Sequence, residues 1–341
     1  MKLIVQIPCL NEAETLPRVV AQIPRRIPGV DVVEVLIVDD GSTDRTIEVA
    51  REVGVDHVVR HVGNKGLAQA FRTGIDACLR LGADVVVNTD GDDQYPGAEI
   101  PRLIAPILEG RAEMTVADRQ TATIEHFSPT KKLLQALGSW TVRQVSRTDV
   151  PDAPSGFRAY GREAALRLNV ITGYSYTVET LIQAGARRTT IAYVPIRVNP
   201  QTRASRLFGS SWNYVKHQLA TIVRSYAMYE PLRVFTMLGL LVLLAGTVVI
   251  VRFVYYFFAE GYSGHVQSLV LGAALWVAGL QILLNGLLAD LIAANRRLVE
   301  EALYRLRRFE SEANDARHPG DPSDASPPLP VPAGGSHRRD L

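Results

Sequence analysis

Three carboxylates follow an apolar run in the stretch VVVNTDGDDQYPG, which begins at Val85. They belong to Asp90, Asp92 and Asp93, and Gln94 comes directly after them. Buried charge is costly unless a group of opposite sign accompanies it. Hard divalent cations such as Mg²⁺ and Mn²⁺ bind carboxylate oxygens and often share them with a substrate diphosphate. The stretch therefore indicates a metal site that holds a phosphorylated ligand.

Two similar polar clusters follow earlier apolar runs. Asn11 and Glu12 come after KLIVQIP, and Asp39 and Asp40 end VEVLIVDD. Such strands alternate with helical patterns, which predicts an α/β domain with a mainly parallel sheet sandwiched by helices. Ligands bind beyond the carboxyl ends of the strands in sheets of this kind. Asp-Gly sequences are also common in plain turns, but three clusters at three strand ends favour one shared site.

One helix start is predicted from local signals. In STDRTIEVAREVG, Ser42 or Thr43 is expected to cap a helix that stops at Gly54.

Composition and missing motifs exclude several classes of protein. The chain has 341 residues and a formal net charge of +2, which gives no support for nucleic-acid binding. It contains neither a P-loop nor a Gly-x-Gly-x-x-Gly after the first strand, so ATPase and dinucleotide-binding functions lose their main support. Cys9 and Cys78 lie in apolar segments without metal-ligand spacing and are expected to be reduced, buried thiols.

Five segments in order resemble glycosyltransferase family 2, which has the GT-A fold. They are IPCLNEAETL, VDDGSTDRT, GNKGLAQAFRTG, TDGDDQYP and DAPSGFRAY. The likeness covers roughly residues 1–205. It is strongest to the branch that contains dolichyl-phosphate mannose synthases and other polyprenyl-phosphate glycosyltransferases.

The resemblance implies a role for each matching residue. The positions implied to bind the nucleotide-sugar are Pro8, Leu10, Glu12, Val38, Asp40, Asp90, Gly91, Asp92, Arg119 and Arg206. The implied ligands of Mg²⁺ or Mn²⁺ are Asp90, Asp92 and Gln94. The implied catalytic residues are Asp92, Arg119 and Arg206.

The late basic loop departs from the family pattern Arg-x-x-Gly-x-Ser-Lys. Here it reads PQTRASRLFG, so Ser205 and Arg206 align with Ser-Lys while Pro200 replaces the family arginine. Arg203 is the candidate substitute. The residues expected to bind the acceptor phosphate are Lys131, Lys132, Arg158 and Arg203. For the two lysines, a solvated helix face is the competing interpretation.

Two apolar runs near the end of the chain predict a transmembrane hairpin. They are Val234–Val251, which aromatic residues extend, and Leu269–Leu288, and each suits a hydrocarbon core of about 30 Å. The connecting AEGYSGH has no Lys or Arg, whereas five arginines follow the second run between 296 and 308. The positive-inside rule then places both flanks in the cytoplasm. A buried soluble hairpin is the alternative.

Polar residues on the second run raise the question of a helix partner. Gln281, Asn285 and Asp290 share a stripe, and they are expected to face another helix or the first helix of the same hairpin. The segment EALYRLRRFE after this run is expected to form a membrane-surface helix or a coiled-coil contact.

These observations divide the chain into five parts. We expect a catalytic domain at 1–205, juxtamembrane amphipathic helices at 206–232, a transmembrane pair at 233–294 (about 234–258 and 267–290), a cytoplasmic helix at 295–313 and a disordered tail at 314–341.

The expected function is an inverting, metal-dependent transfer of a sugar from a UDP- or GDP-sugar to a membrane polyprenyl phosphate. The implied partners are the donor, the lipid acceptor and the bilayer, with homo-oligomerisation left open. One alternative is a processive polysaccharide synthase, although the chain lacks the Gln-x-x-Arg-Trp motif of such enzymes. The other is a non-catalytic membrane scaffold that binds nucleotide-sugars.

Overall fold

The computed structural model describes residues 1–120, 138–144, 146–171, 176–199, 231–260 and 266–317. Several predicted positions lie outside these ranges, and the roles expected of them stay predictions. They are Lys131, Lys132, Arg203, Ser205, Arg206 and the juxtamembrane segment up to residue 230.

A seven-stranded sheet forms the centre of the described catalytic region. Its strands are β1 (Lys2–Cys9), β2 (Val32–Asp39), β3 (His57–Arg60), β4 (Val85–Asn88), β5 (Met114–Asp118), β6 (Arg158–Gly161) and β7 (Ile191–Pro195). They lie in the order β3-β2-β1-β4-β6-β5-β7. Strand β6 is antiparallel to both of its neighbours, and the other pairs are parallel. The prediction of a mainly parallel sheet is confirmed.

Helices cover both faces of this sheet. They are α1 (Leu16–Ala21), α2 (Thr46–Glu52), α3 (Leu67–Arg80), α4 (Ile100–Leu108), α5 (Arg162–Arg167) and α6 (Tyr176–Arg187). Alternate residues of β1 enter two separate cores: Ile4 packs with the residues of α3, and Leu3 packs with those of α1 and α4. This period of two follows from the pleat of the strand. It accounts for the nearly continuous apolar sequence of the central strands.

The start of α2 differs from the predicted cap. Neither Ser42 nor Thr43 caps the helix; the Asp44 carboxylate instead accepts the backbone N–H of Thr46 at 3.0 Å. The Ser42 hydroxyl accepts the N–H of Asn11 at 2.9 Å, and Asn11 Oδ1 accepts the N–H of Thr43 at 2.8 Å. These polar groups therefore join the loops that follow β1 and β2. Gly54, at φ 74°, ends the helix as expected.

Two long apolar helices follow the catalytic region. Helix α7 covers Pro231–Glu260, and α8 covers Val266–Arg317. By length and composition both could cross a membrane, and only about a tenth of each apolar window is buried. The 52 residues of α8 span about 78 Å, which is far longer than a bilayer core. The helix is continuous through residues 295–313 and includes 314–317, the first part of the predicted disordered tail.

Glycines allow α7 and α8 to approach closely. A Cβ atom on Gly279 would lie 2.7 Å from Leu243 Cγ, and one on Gly272 would lie 2.5 Å from Ile250 Cγ1. Trp276 Nε1 donates a hydrogen bond across the pair to Thr247 Oγ1 at 3.0 Å. Small residues at such crossings are typical of helix pairs in membranes.

The second half of α8 packs against the catalytic region. Glu300 pairs with Arg187 of α6 at 2.8 Å, and Arg307 pairs with Asp76 of α3 at 2.9 Å. Between them, the Tyr304 hydroxyl donates to the Glu163 carboxylate of α5 at 2.9 Å. This part of α8 is therefore a docked helix that connects the hairpin to the sheet domain.

Candidate active site

The loop after β4 lies directly against the loop after β1. A Cβ atom on Gly91 would be 3.2 Å from both Cys9 Sγ and Glu12 Cγ. Thr15 Oγ1 lies 2.6 Å from the Gly91 carbonyl oxygen, to which it donates, and 2.9 Å from Glu12 Oε2. The expected convergence of polar clusters at the carboxyl edge is therefore present, and the Asp90–Asp92 turn is fixed by the β1 loop.

The carboxyl of Asp90 lies in a confined, poorly compensated environment. Burial, the nearby charge of Asp92 and that of Glu12 raise its pKa to about 7, against the opposing effect of Arg119. A Cβ atom on Gly156 would lie 3.0 Å from Asp90 Oδ2. The glycine of the DAPSGFRAY segment therefore leaves room for this carboxyl.

The donor set fits a cation that is shared with a substrate. Asp92 Oδ1 accepts the backbone N–H of Gln94 at 3.1 Å, which holds the carboxylate in the turn. Within the described ranges, no three His, Cys, Asp or Glu side chains are grouped closely enough to hold a metal ion. Magnesium commonly binds through one or two carboxylates and completes its ligands with water and substrate phosphate. The undercompensated Asp90 and its neighbour Asp92 match that arrangement.

Arg119 is held beside this loop by Asp152. The guanidinium donates to both carboxylate oxygens, with Nε–Oδ2 at 2.6 Å and Nη2–Oδ1 at 2.8 Å. Both side chains are buried, and a bidentate pair of this kind fixes orientation as well as charge. Sequence reasoning assigned no role to Asp152, although it is the first residue of the DAPSGFRAY segment. Its place in that segment was the available signal.

Asp40 organises the loop that leads into α3. Its carboxylate accepts the backbone N–H groups of Lys65 at 2.9 Å and Gly66 at 2.8 Å. It also lies 2.7 Å from His61 Nδ1, and the other ring nitrogen lies 3.0 Å from Thr73 Oγ1. Asp40 thus shapes the predicted nucleotide pocket through the backbone. Sequence reasoning missed His61, which no motif spacing marks.

The remaining predicted nucleotide contacts divide by exposure. Glu12 and Leu10 lie on the β1 loop, with Leu10 half-buried. Pro8 is buried within β1, and Val38 is 0% exposed in the core under α3. The Val38 side chain therefore does not face a ligand pocket, because it packs against the residues of the sheet and α3.

Arg158 does not occupy the position predicted for it. Its side chain is 0% exposed, and its guanidinium donates to the carbonyls of Ser155, Thr177 and Ala153 at 2.8 Å each. It also donates to Thr180 Oγ1 at 2.6 Å. The expected contact with an acceptor phosphate is wrong for this arrangement, because the guanidinium ties β6 to α6 from inside the core.

The chain that follows β7 returns to the metal-site turn. Asn199 Nδ2 donates to the Asp93 carbonyl at 2.9 Å, and the Asn199 backbone N–H donates to the Gln94 carbonyl at 3.0 Å. Asn199 directly precedes the late basic loop in the sequence. The last described residue before that loop is therefore held beside the Asp90–Asp92 turn.

Family models match two parts of the chain. Residues 4–168 match the model described as glycosyl transferase family 2, and residues 230–294 match the model described as the GtrB C-terminal hairpin. The first match covers the sheet up to α5, and the second covers α7 and the first part of α8.

Two curated relatives and one solved structure extend this finding. A polyprenol monophosphomannose synthase of Mycolicibacterium smegmatis is 27% identical over 61% of this chain and 82% of its own length. An uncharacterized glycosyltransferase of Mycobacterium tuberculosis is 31% identical over 60% of this chain and 89% of its own length. Glucosyl-3-phosphoglycerate synthase of M. tuberculosis, crystallised with Mn²⁺, UDP-glucose and phosphoglyceric acid, is 22% identical with a TM-score of 0.53, covering 66% of this chain and 80% of that one. This last likeness shows a shared fold.

Proposed function

Because the chain belongs to glycosyltransferase family 2 and is a glycosyltransferase, we propose that it transfers a sugar from a nucleotide-sugar to a membrane polyprenyl phosphate. The relative named polyprenol monophosphomannose synthase supports this acceptor class. The proposed donor is a UDP- or GDP-sugar, and the proposed product is a polyprenyl-phosphate-linked monosaccharide.

One observation carries the proposal. The Asp90–Asp92 turn and the Arg119 guanidinium lie together at the carboxyl edge of the sheet, in a domain that is docked onto the second half of α8, which continues from the apolar helical hairpin. This places a site suited to a diphosphate in the same molecule as a surface suited to lipid. Neither a processive polysaccharide synthase nor a binding scaffold is favoured by a further observation.

A divalent cation, Mg²⁺ or Mn²⁺, would be held by Asp90 and Asp92, with Gln94 as a further proposed ligand. When bound, it would supply positive charge to the diphosphate leaving group. The solved structure containing Mn²⁺ and UDP-glucose supports this assignment through its shared fold. The donor screen described below is designed to identify the metal and the sugar.

The reaction needs little base catalysis by the protein. A phosphate monoester has a second pKa near 6, so the acceptor is already a nucleophile at neutral pH. The chain's own task is to orient that oxygen toward C1 of the sugar and to stabilise the departing diphosphate. Direct attack by the acceptor inverts the anomeric configuration.

Arginines at the site are proposed to stabilise the leaving group. Arg119 is positioned by Asp152 before any substrate binds, so it loses little freedom on binding. Arg206 is proposed to close over the diphosphate from the late loop, which follows Asn199 in the sequence, and Asn199 itself is bonded to the Asp93 carbonyl. Arg203, Lys131 and Lys132 remain candidates for the acceptor phosphate.

The hairpin is proposed to span the bilayer with the catalytic domain and both of its flanks in the cytoplasm. The short connection after α7 carries no Lys or Arg, while the segment after the second apolar run is rich in arginine. A cysteine introduced as Gly261→Cys is expected to react with a membrane-impermeant thiol reagent added outside intact cells. One at Glu312 is expected to react only after the cells are opened, and labelling of both from one side contradicts this topology.

The experiment that tests the function uses purified full-length protein in bilayers with a short polyprenyl phosphate. GDP-mannose, UDP-glucose and other radiolabelled donors are screened with Mg²⁺ or Mn²⁺, and lipid-linked product is extracted. A single sugar per lipid supports the proposal, polymer points to a synthase, and binding without transfer points to a scaffold. Donor hydrolysis that does not depend on lipid phosphate contradicts the proposed acceptor.

The late loop is tested by comparing two arginines. Each charged contact made mainly in the transition state contributes on the order of 30- to 1,000-fold in rate. Arg206→Ala is expected to lower turnover by such a factor while donor binding changes little. Arg203→Ala, whose match to the family pattern is poor, is expected to have a smaller effect. Equal turnover of Arg206→Ala and the unaltered protein excludes the proposed role.

A further inference from the structure

One face of α8 is already occupied by the rest of this chain. Gly272, Gly279 and Gly286 are buried against α7, and Ala293 and Glu300, which continue the same seven-residue spacing, are also buried. The docking contacts of Tyr304 and Arg307 lie on this side of the helix. A constant heptad spacing therefore describes the occupied face along most of α8.

A second heptad stripe on another side of the same helix is apolar where water is expected. Its members beyond the hairpin are Asn295, Val299, Ala302, Leu306 and Phe309, all of which are exposed and all but Asn295 of which are apolar. Leu306 is 59% exposed and Phe309 is 69% exposed. Large apolar side chains that recur at this spacing are the signature of a helix that pairs with another helix.

Toward the N-terminal end of α8, the same stripe includes two polar side chains where lipid is expected. Gln281 and Asn285 occupy the stripe at the same spacing and are exposed, so they do not face α7. Gln281 Nε2 donates to Asn285 Oδ1 at 3.4 Å, a long contact that satisfies few of their polar groups. Polar side chains in a membrane span normally face another helix. The stripe also contains Ala274 and Ala278, whose small side chains permit a close approach.

Each half of the stripe thus has side chains whose polarity does not match the expected surroundings. In the proposed membrane arrangement, the apolar side chains beyond the hairpin extend into water, and the two amide side chains within it extend into lipid. A second copy of the same stripe would cover both sets at once. We propose that α8 forms a parallel, two-stranded coiled coil with α8 of a second copy of this chain, along the stripe from Gln281 to Phe309.

Charges beside the stripe favour this occupant. In a parallel pair, a residue on one flank meets the residue five positions later on the other flank of the partner. Arg305 and Glu310 have this relation, so the dimer would contain two opposite-charge contacts, one from each arginine. Leu298 and Leu303 have the same relation and are both exposed. Two copies with the same membrane orientation can only present their α8 helices in parallel.

Lipid alone does not account for the lower half of the stripe. Phe309 lies 15 residues beyond Ala294, where the matched hairpin ends, which is about 22 Å along an α-helix. An upright helix would carry Phe309 well clear of the hydrocarbon. Because the catalytic region holds α8 through Glu300, Tyr304 and Arg307, the helix is not free to lie down on the bilayer surface.

Cysteine cross-linking in native membranes tests this pairing. Val299→Cys, Leu306→Cys and Phe309→Cys are compared with Glu301→Cys, a control on the same exposed turns but off the stripe. The natural Cys9 and Cys78 are buried and give little background. We expect disulfide-linked dimers from the stripe variants and none from the control. Monomers throughout, or equal cross-linking at Glu301, overturn the proposal.

A charge exchange tests the parallel register. Arg305→Glu and Glu310→Arg each create two like-charge contacts in a homodimer, so each is expected to weaken self-association by about fivefold. A mixture of the two variants restores both opposite-charge contacts in the heterodimer. With different tags on the two variants mixed in equal amounts, mixed dimers are expected to make up well over the roughly one half of all dimers that random pairing gives. Random pairing of the variants refutes the register, whatever the transferase activity of the protein.

Discussion

The carboxyl edge of the sheet and the α7–α8 hairpin are held together by different kinds of interaction. At the sheet edge, charged and polar side chains bind specific partners, as in the Arg119–Asp152 pair and the amides held by Asp40. In the hairpin, glycines permit backbone approach, and Trp276–Thr247 is a polar contact between the helices. The edge therefore depends on the chemical identity of its residues, whereas the hairpin depends on their size.

The largest loss of folding stability is expected on breaking the buried ion pair between Arg119 and Asp152. Asp152→Ala leaves the Arg119 guanidinium buried without its main partner, which costs about 3–5 kcal/mol of folding stability. Denaturant unfolding of the purified protein measures this. Replacing both residues with leucine is expected to be less harmful, since no charge is then stranded.

An exposed pair provides the control for that loss. Glu52→Ala, which removes the exposed Arg45–Glu52 pair, is expected to change stability little. Similar losses of folding stability in Asp152→Ala and Glu52→Ala would show that the chemical identity of the residues at the sheet edge is no more important than at an exposed surface.

The metal ligand is expected to affect rate rather than stability. Asp92→Asn replaces a carboxylate with a poor ligand for a hard cation, and transfer is expected to fall by about 100- to 1,000-fold. EDTA is expected to reproduce the loss, and Mn²⁺ or Mg²⁺ to reverse it in the unaltered protein. Glu99→Gln, on the same segment, serves as control. Full transfer by Asp92→Asn in chelator would remove the metal from the mechanism.

In the hairpin, size is expected to outweigh polarity. Gly279→Leu forces a side chain into Leu243 and the α7 backbone and is expected to cost about 1–3 kcal/mol. Ala273→Leu, at an exposed position six residues earlier on α8, adds the same type of side chain without that conflict. Thermal unfolding in bilayers compares the two. Equal melting temperatures would show that the glycine contact does not hold the helices together.

The smallest expected effect concerns the charge of Asp90. Burial and the nearby charge of Asp92 raise its pKa from the usual 3.8 to about 7. The unfolded chain then releases this proton first, so folded stability falls as pH rises from about 4 to 7. Added Mg²⁺ or Mn²⁺ is expected to stabilise more at pH 8 than at pH 5.

Asp90→Asn is the matched variant for this titration. In EDTA it is expected to show a shallower loss of melting temperature between pH 5 and 8 than the unaltered protein. Parallel curves for the two proteins would assign the pH dependence to other groups.

Patterns local to one segment were predictable from the sequence. The Asp90–Asp92 turn follows a continuous apolar strand, so its place at the sheet edge could be predicted from periodicity. The Arg119–Asp152 pair joins residues 33 positions apart, and no local pattern encodes that distance. Arg158 was misassigned because a sequence does not reveal which guanidinium groups bind backbone carbonyls inside the core.

Helix boundaries in the second half were obscured by composition. The change from apolar to charged residues after residue 294 suggested a break, yet α8 continues to Arg317. Pairs four residues apart, such as Glu301–Arg305 and Arg308–Glu312, lie on the helix surface and support its continuation. Charge content thus marks where α8 meets water and says little about where it ends.

The unbroken course of α8 sets the spacing and rotation of the enzyme's two halves. From Ala294 to Arg307 the helix rises about 20 Å, so the sheet domain is held at a constant height above the end of the hairpin. Each residue inserted in this interval would add 1.5 Å and turn the docking face by about 100°. A single insertion would therefore direct Glu300, Tyr304 and Arg307 away from their partners. Seven inserted residues would nearly restore the rotation but move the domain about 10 Å farther from the hairpin. Activity toward a lipid acceptor in the membrane would then fall, whereas activity toward a water-soluble acceptor would be retained.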